Sequence, residues 1–136
     1  MTNRSRFFNI ISRFPKQTIF VLGDLMLDEW IWGKVRRISP EAPVPVVEVE
    51  ERTFTPGGAS NVAANVRALG ARVFLAGKVG TDPPATILRR KLREAGVKLD
   101  GLIAVKAKPT TLKTRIIAHN QQVVRADVED KSRLNG

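Results

Sequence analysis

The 136-residue chain has no cysteine and no tyrosine, a single histidine, and only 6% aromatic residues. Each shortage removes a class of function. Without cysteine there are no disulfides and no thiolate metal sites. His119 alone is too little for a zinc centre or a histidine-based triad and reads as structural. Scarce aromatics leave little surface on which single-stranded bases could stack. No apolar run approaches the roughly 20 residues that a membrane-spanning helix needs.

Positive charge is what the chain has in excess, with 23 Lys and Arg against 13 Asp and Glu, a formal net charge of +10. Such a balance suits anionic partners or an anionic substrate. The basic residues are scattered, however, and Arg89, Arg90, Lys91 and Arg93 look as much like a solvated helix face as a nucleic-acid patch. A hydrophobic content of 43% argues against disorder, and the length suits one domain with a real core. The opening MTNRSRFFNIISRFPK sets Phe7, Ile10, Ile11 and Phe14 at helical spacing among basic residues. It lacks the apolar core and cleavage site of a signal peptide. A membrane-surface helix is one reading; a short amphipathic helix within 1–17, packed on the domain, is preferred.

TIFVLGD, residues 18–24, is a continuous apolar run and predicts a central parallel strand buried on both faces. In LMLDEWIWGKV, an extended chain puts Trp30 and Trp32 on one face and Ile31 on the other. Prolines at 40, 43 and 45 exclude a helix and predict an edge strand or extended loop, so 30–54 reads as a β-flap. TPGGASNVAANVRALG, residues 55–70, joins a glycine pair to a helix with Val62, Val66 and Leu69 on one stripe and Gly70 as a left-handed cap. The glycines are either a tight turn or a cradle in which a ligand approaches the backbone at a helix N-terminus.

Residues 72–80 predict a second buried strand, and Asp82 caps a helix that begins at Pro83, turns Ile87, Leu88 and Leu92 inward and stops at Gly96. A strand follows over 97–105, then a hairpin with its bend near Asn120 and Gln121. This order predicts an α/β fold with a parallel sheet, 55–136 being the start of its core. The strands are fewer than a three-layer sheet normally holds. The chain is therefore expected to be the front part of a larger domain.

Gly57, Gly58, Ala59, Ser60, Asn61, Val62 and Ala63, followed by Gly70 and Gly80, resemble the first signature of the ribokinase-like carbohydrate kinases, the PfkB family. GDLMLDEWIWG resembles the end of that family's first strand, where an aspartate holds the sugar. RISPEAPVPVVEV and NQQVVRAD narrow the resemblance to kinases of D-glycero-β-D-manno-heptose 7-phosphate in lipopolysaccharide precursor synthesis. The resemblance implies a ribokinase-like three-layer sandwich with a parallel central sheet and a small β-flap, incomplete at the C-terminus. It assigns Asp28, Gly57, Gly58 and Asn61 to sugar binding and makes Trp30 and Trp32 candidate apolar contacts. A sugar phosphate also needs cations, for which Lys113 and Arg115, alternating on one strand face, are candidates. Further implications are a homodimer through the flap, a cytoplasmic location, and no membrane or nucleic-acid partner.

The chemistry of these residue types agrees with a polyol ligand: a carboxylate accepts from neighbouring hydroxyls, an amide both accepts and donates, and glycine N–H groups reach sugar oxygens unobstructed. Apart from the resemblance, Asp28 also reads as a surface carboxylate, Asn61 as a first-turn residue bonding its own backbone, and Lys113 and Arg115 as ordinary exposed bases. Complete family enzymes use ATP and Mg²⁺, with the base supplied by a second signature, D-T-x-G-A-G-D. The chain contains no such stretch. No catalytic, cofactor-binding or metal residue is therefore nominated, and the chain alone is expected to be inactive. Asp82-Pro83-Pro84-Ala85 also departs from the family pattern, in which a glycine is common. Two rival classes are another sugar kinase of the family and a basic nucleic-acid-binding module; a dinucleotide-dependent oxidoreductase is disfavoured because VLGDLMLD lacks the three-glycine turn.

Overall fold

The computed structural model describes residues 3–106, 108–130 and 132. Its elements run α1 (Asn3–Ile11), a 3₁₀ turn (Phe14–Lys16), β1 (Thr18–Leu22), β2 (Leu25–Ile38), β3 (Pro45–Gly58) and α2 (Ala59–Ala68). Then come β4 (Arg72–Val79), α3 (Pro83–Glu94), β5 (Lys98–Ala104), β6 (Thr111–Ala118) and β7 (Gln121–Val128). The strands sort into a parallel sheet of three, ordered β1-β4-β5, and a sheet of four, ordered β3-β2-β6-β7. The α/β class and the parallel sheet are as the sequence predicts.

Helices α2 and α3 close over one face of the parallel sheet, where Val73, Leu75, Leu88, Leu92 and Val97 are buried. Removing such side chains from water is the main force that holds the layer together. α3 starts as expected: the Asp82 carboxylate accepts from the Ala85 N–H at 3.1 Å, and Pro83 fills the first turn, where no N–H partner is needed. Gly70 and Gly96, with φ of +94° and +74°, follow α2 and α3 in the left-handed region that a side chain disfavours.

Four expectations need correction. β1 is an edge strand of the three-stranded sheet, and it is largely exposed. It is apolar on both faces, but only Ile19 and Val21 share the helix-covered side with Val73 and Leu75, while Phe20 and Leu22 face outward beside Phe74. α1 forms, yet none of its residues is buried, so it does not pack on the domain as expected. Phe14 and Pro15 make the attachment instead, Pro15 lying against Gly70 and Phe14 lining a small cavity with Ile19, Val66 and Leu69. In α2 the buried residues are Ser60 and Ala63 rather than the stripe of Val62, Val66 and Leu69. Small side chains let the helix sit close to the sheet, and Val62 and Leu69 stay exposed. Finally, the flap is not confined to 30–54. β2 starts at Leu25, β3 runs to Gly58, and β6 pairs in parallel with β2, which brings the 111–128 hairpin into the flap sheet.

That hairpin turns at His119 and Asn120, whose φ of 50° and 62° suits a tight two-residue turn one position earlier than predicted. His119 accordingly stands in a turn rather than a strand, its Nε2 3.1 Å from the Val35 carbonyl.

Candidate functional site

β2 enters the molecule through the core and leaves it through the flap. Leu25, Leu27 and Ile31 are buried on one face, so Met26, Asp28, Trp30 and Trp32 point to the other, as the period of two requires. Pairing carries the same alternation to the neighbouring strands. Parallel β6 sets Lys113 opposite Asp28 and Arg115 opposite Trp30, while antiparallel β3 sets Gly57 opposite Met26 and Thr55 opposite Asp28. Residues far apart in sequence thereby share one sheet face.

Asp28 is at its centre. Arg115 Nη1 donates to Asp28 Oδ1 at 2.6 Å, with both side chains about four-fifths buried. Asp28 Oδ2 lies where a Cβ on Gly57 would be, so glycine is required there by the carboxylate itself. The Arg115 guanidinium also stacks over the Trp30 ring, 4.8 Å from its centroid. Trp30 and Trp32 are stacked at 6.1 Å with planes 13° apart, and their N–H groups donate to Thr55 and Thr53, each at 3.3 Å. They form a fixed aromatic wall beside the carboxylate.

The glycine pair is a strained corner. Gly58 has φ 55° and ψ −134°, and a Cβ there would come within 2.6 Å of the Asp24 carbonyl oxygen. That carbonyl accepts from Ala59 N–H at 3.0 Å, so Asp24 ties the start of α2 through its backbone. Asn61 follows in the first turn of α2, exposed, and accepts from Asn65 Nδ2 at 3.2 Å; no bond joins it to Asp28 or Arg115. The Ser60 hydroxyl is buried and finds no hydrogen-bond partner among the described residues.

Beside this face opens a cleft of about 350 Å³, lined among others by Asp24, Met26, Lys78, Lys108, Lys113 and Asp130. Lys113 bonds Asp127 at 3.0 Å and approaches Glu129 at 3.9 Å. The bond from Lys113 holds the Asp127 carboxyl below the usual range. Lys108 donates to the Ser132 hydroxyl at 2.6 Å and pairs with Asp130 at 3.3 Å. Hydrogen bonds from Ser132, with Lys108 adding to them, bring Asp130 down to about 2. Behind the flap sheet, Glu29 is buried and accepts from the Thr114 hydroxyl at 2.7 Å, with Arg52 3.8 Å away.

Of the residues nominated from sequence, Asp28, Gly57, Lys113 and Arg115 meet on one face, Gly58 adjoins them at the corner, and Asn61 stands apart on the helix. Lys113 and Arg115 are not ordinary exposed bases, since both hold carboxylates. Lys78 and Lys108 were missed. The signal for Lys78 is its place at the C-terminal end of a parallel strand, where crevices in open α/β sheets form; Lys108 carries no such mark. No group of three or more His, Asp or Glu side chains suited to a metal gathers among the described residues.

A bifunctional protein HldE from Wolinella succinogenes is 51% identical over 126 residues, covering 93% of this chain and 27% of that protein. The chain spans about a quarter of the length of the curated relatives it matches. Among solved structures, a carbohydrate kinase from Agrobacterium tumefaciens superimposes with a TM-score of 0.67 at 23% identity, over 82% of this chain and 35% of that one. A ribokinase from Arabidopsis thaliana, complexed with ribose and ATP, gives 0.63 at 18% identity over 84% and 35%. At such identities these two establish the ribokinase-like fold alone. The sequence profile of the pfkB family carbohydrate kinases matches residues 16–135, which takes in both sheets, the glycine corner and the Asp28 face, and the chain belongs to that family.

Proposed function

We propose that this chain carries the sugar-binding part of an ATP-dependent carbohydrate kinase acting on D-glycero-β-D-manno-heptose 7-phosphate, in the cytoplasmic supply of ADP-heptose for lipopolysaccharide. The observation that carries the reading is Asp28, a carboxylate set between the Gly57 backbone and the Arg115 guanidinium on an open sheet face. Such a group accepts from sugar hydroxyls, while Lys113 and Arg115 supply cations for a phosphate. Trp30 and Trp32 offer an apolar wall to the carbon side of a sugar ring. The roughly 50% identity to HldE proteins supports heptose over other sugars. ATP and Mg²⁺ belong in this reading to the complete kinase and are not assigned to residues here. Pairing of flap sheets between two copies is part of the same proposal.

A nucleic-acid module gains no support. Among the described residues, cations such as Arg36 and Arg90 stand in ion pairs with Glu48 and Glu94. No helix among the described residues is long and apolar enough to cross a membrane.

The test is isothermal titration of the folded chain with heptose 7-phosphate, fructose 6-phosphate and ribose. The heptose ester is expected to bind tightest, and Asp28→Ala to abolish binding without unfolding the protein. A folded chain that binds none of the three, or binds them regardless of Asp28, removes the proposal.

A further inference from the structure

Arg115 has two partners in the structure, and both belong to the site. One is Asp28, the other the face of Trp30. With Oδ1 bonded to the guanidinium and Oδ2 lying against the Gly57 backbone, the Asp28 carboxylate is fixed in orientation and cannot turn to meet sugar hydroxyls. The arrangement that marks Asp28 as a ligand for sugar also restrains it.

The geometry points to Arg115 as the residue that selects a phosphorylated sugar, through an exchange of anions. Its guanidinium holds Asp28 until a phosphate dianion takes the carboxylate's place, and the released carboxylate then accepts the sugar's hydroxyls. This inference rests on the sugar-phosphate reading above and adds to it a coupling between two ends of one ligand.

Three observations support the exchange. The pair is partly shielded, with side-chain exposures of 20% and 18%, so neither group gives up its partner without a replacement charge. A guanidinium matches phosphate with two parallel hydrogen bonds and meets a doubly charged anion, so phosphate competes well with the carboxylate. Trp30 gives the guanidinium a surface to pivot on, since the ring is fixed by Thr55 and Trp32. Lys113, two residues earlier on the same strand face, adds attraction for the phosphate but cannot perform the exchange, because it pairs with Asp127 and Glu129 rather than Asp28.

The exchange predicts a crossover in specificity. The probes are heptose 7-phosphate and the unphosphorylated heptose, titrated calorimetrically into the 136-residue chain and its Arg115→Met variant. The wild type is expected to prefer the phosphate ester by about a hundredfold, and Arg115→Met to bind it about ten- to a hundredfold more weakly. The same variant should bind free heptose about three- to tenfold more tightly, because Asp28 is unlocked. Weakening of both ligands together, or loss on the ester with no gain on the free sugar, overturns the exchange and leaves Arg115 an ordinary anion contact. Should Arg115→Met fail to fold, Arg115→Gln removes the charge but keeps a planar polar group, and its ratio of affinities decides in the same way. The chain's two tryptophans are Trp30 and Trp32, and the guanidinium lies over Trp30, so their emission senses it as well as the sugar. At saturation, heptose 7-phosphate should change that emission more in the wild type than in Arg115→Met, where only the sugar's own contact with the rings remains; equal changes refute the movement. Absence of binding by either sugar to the folded wild type defeats the sugar-phosphate reading itself, whereas equal binding of both defeats only the exchange.

Discussion

Adjacent glycines in the corner between β3 and α2 should fail in different ways when each is replaced by alanine. A Cβ on Gly57 would overlap Asp28 Oδ2 and stand 2.8 Å from Met26 Cγ and 3.0 Å from Asp28 Cγ. Every atom in its way belongs to a side chain, so the backbone survives and the carboxylate gives way. Asp28 cannot turn freely, because Arg115 holds its other oxygen at 2.6 Å. Overpacking of this kind costs about 1–3 kcal/mol. A misplaced carboxylate also forfeits a charge-assisted hydrogen bond to ligand, about 1.5–3 kcal/mol, or about ten- to a hundredfold in Kd. Gly58 is different: its φ of 55° is in the region that side chains avoid, and its Cβ would meet the Asp24 backbone oxygen at 2.6 Å. That conformation costs a non-glycine residue about 1–3 kcal/mol, and backbone overlap adds about as much. Urea denaturation and calorimetric titration with heptose 7-phosphate separate the two. Gly57→Ala should lose about 1–3 kcal/mol of stability and bind poorly, and Gly58→Ala should lose about twice as much, unfolding at markedly lower urea. Wild-type affinity in Gly57→Ala would show that no ligand depends on the position of Asp28, and wild-type stability in Gly58→Ala would refute the strain.

Asp82 gives a pH-dependent test. Burial pushes its carboxyl up, but hydrogen bonds from the Thr110 side chain and backbone and from Ala85 outweigh that and hold it below the usual value. Its contribution is therefore present above the ordinary aspartate range and lost as pH falls through the lowered folded value. Asp82→Asn, whose amide oxygen keeps the bonds from Ala85 and the Thr110 hydroxyl while its N–H₂ is turned toward the Thr110 N–H, should cost about 1–3 kcal/mol at pH 7 in urea melts. The deficit should shrink below about pH 4, and a deficit independent of pH would be contrary evidence. Ser60→Ala removes a buried hydroxyl with no partner and should leave stability unchanged or raise it by up to about 1 kcal/mol; a clear loss would reveal a bond to that oxygen. The isolated chain should show no ATP-dependent phosphorylation of heptose 7-phosphate above blank, and turnover in a coupled assay would refute the assignment of the catalytic machinery to other residues.

Local chemistry made some elements readable in the sequence. Asp82-Pro83 announces a helix start, Gly70 and Gly96 its ends, and the clustered prolines at 40, 43 and 45 an edge. The glycine pair and the alternation of Lys113 with Arg115 drew attention to residues that the fold does bring to one face. What was not readable depends on partners distant in sequence. β6 joins β2 in parallel across the whole α/β segment, and nothing in either strand specifies that neighbour, so the flap was drawn too small. The same distance, 87 residues, hid the Asp28–Arg115 pair. β1 and α1 were misjudged for one reason: an apolar residue reports a preference for burial, not a partner that satisfies it.

The site depends on one register. Side chains in β2 alternate between Asp28 on the open face and Glu29 on the buried one, so a slip of one residue against β6 would turn the Asp28 carboxylate inward and that of Glu29 outward. Three contacts on different strands oppose that slip. Leu27 is fully buried in the core, Glu29 is bonded to Thr114 on β6, and the Asp28 carboxylate fits only where β3 supplies a glycine. Glu29 thus acts from behind the sheet on the position of Asp28 in front. A buried carboxylate bonded to a single hydroxyl and a distant Arg52 is poor value as a source of stability, because its desolvation offsets much of what those contacts contribute. Its worth is in fixing which face each carboxylate occupies, and in this way the two adjacent acids, identical in sequence prominence, come to play opposite parts.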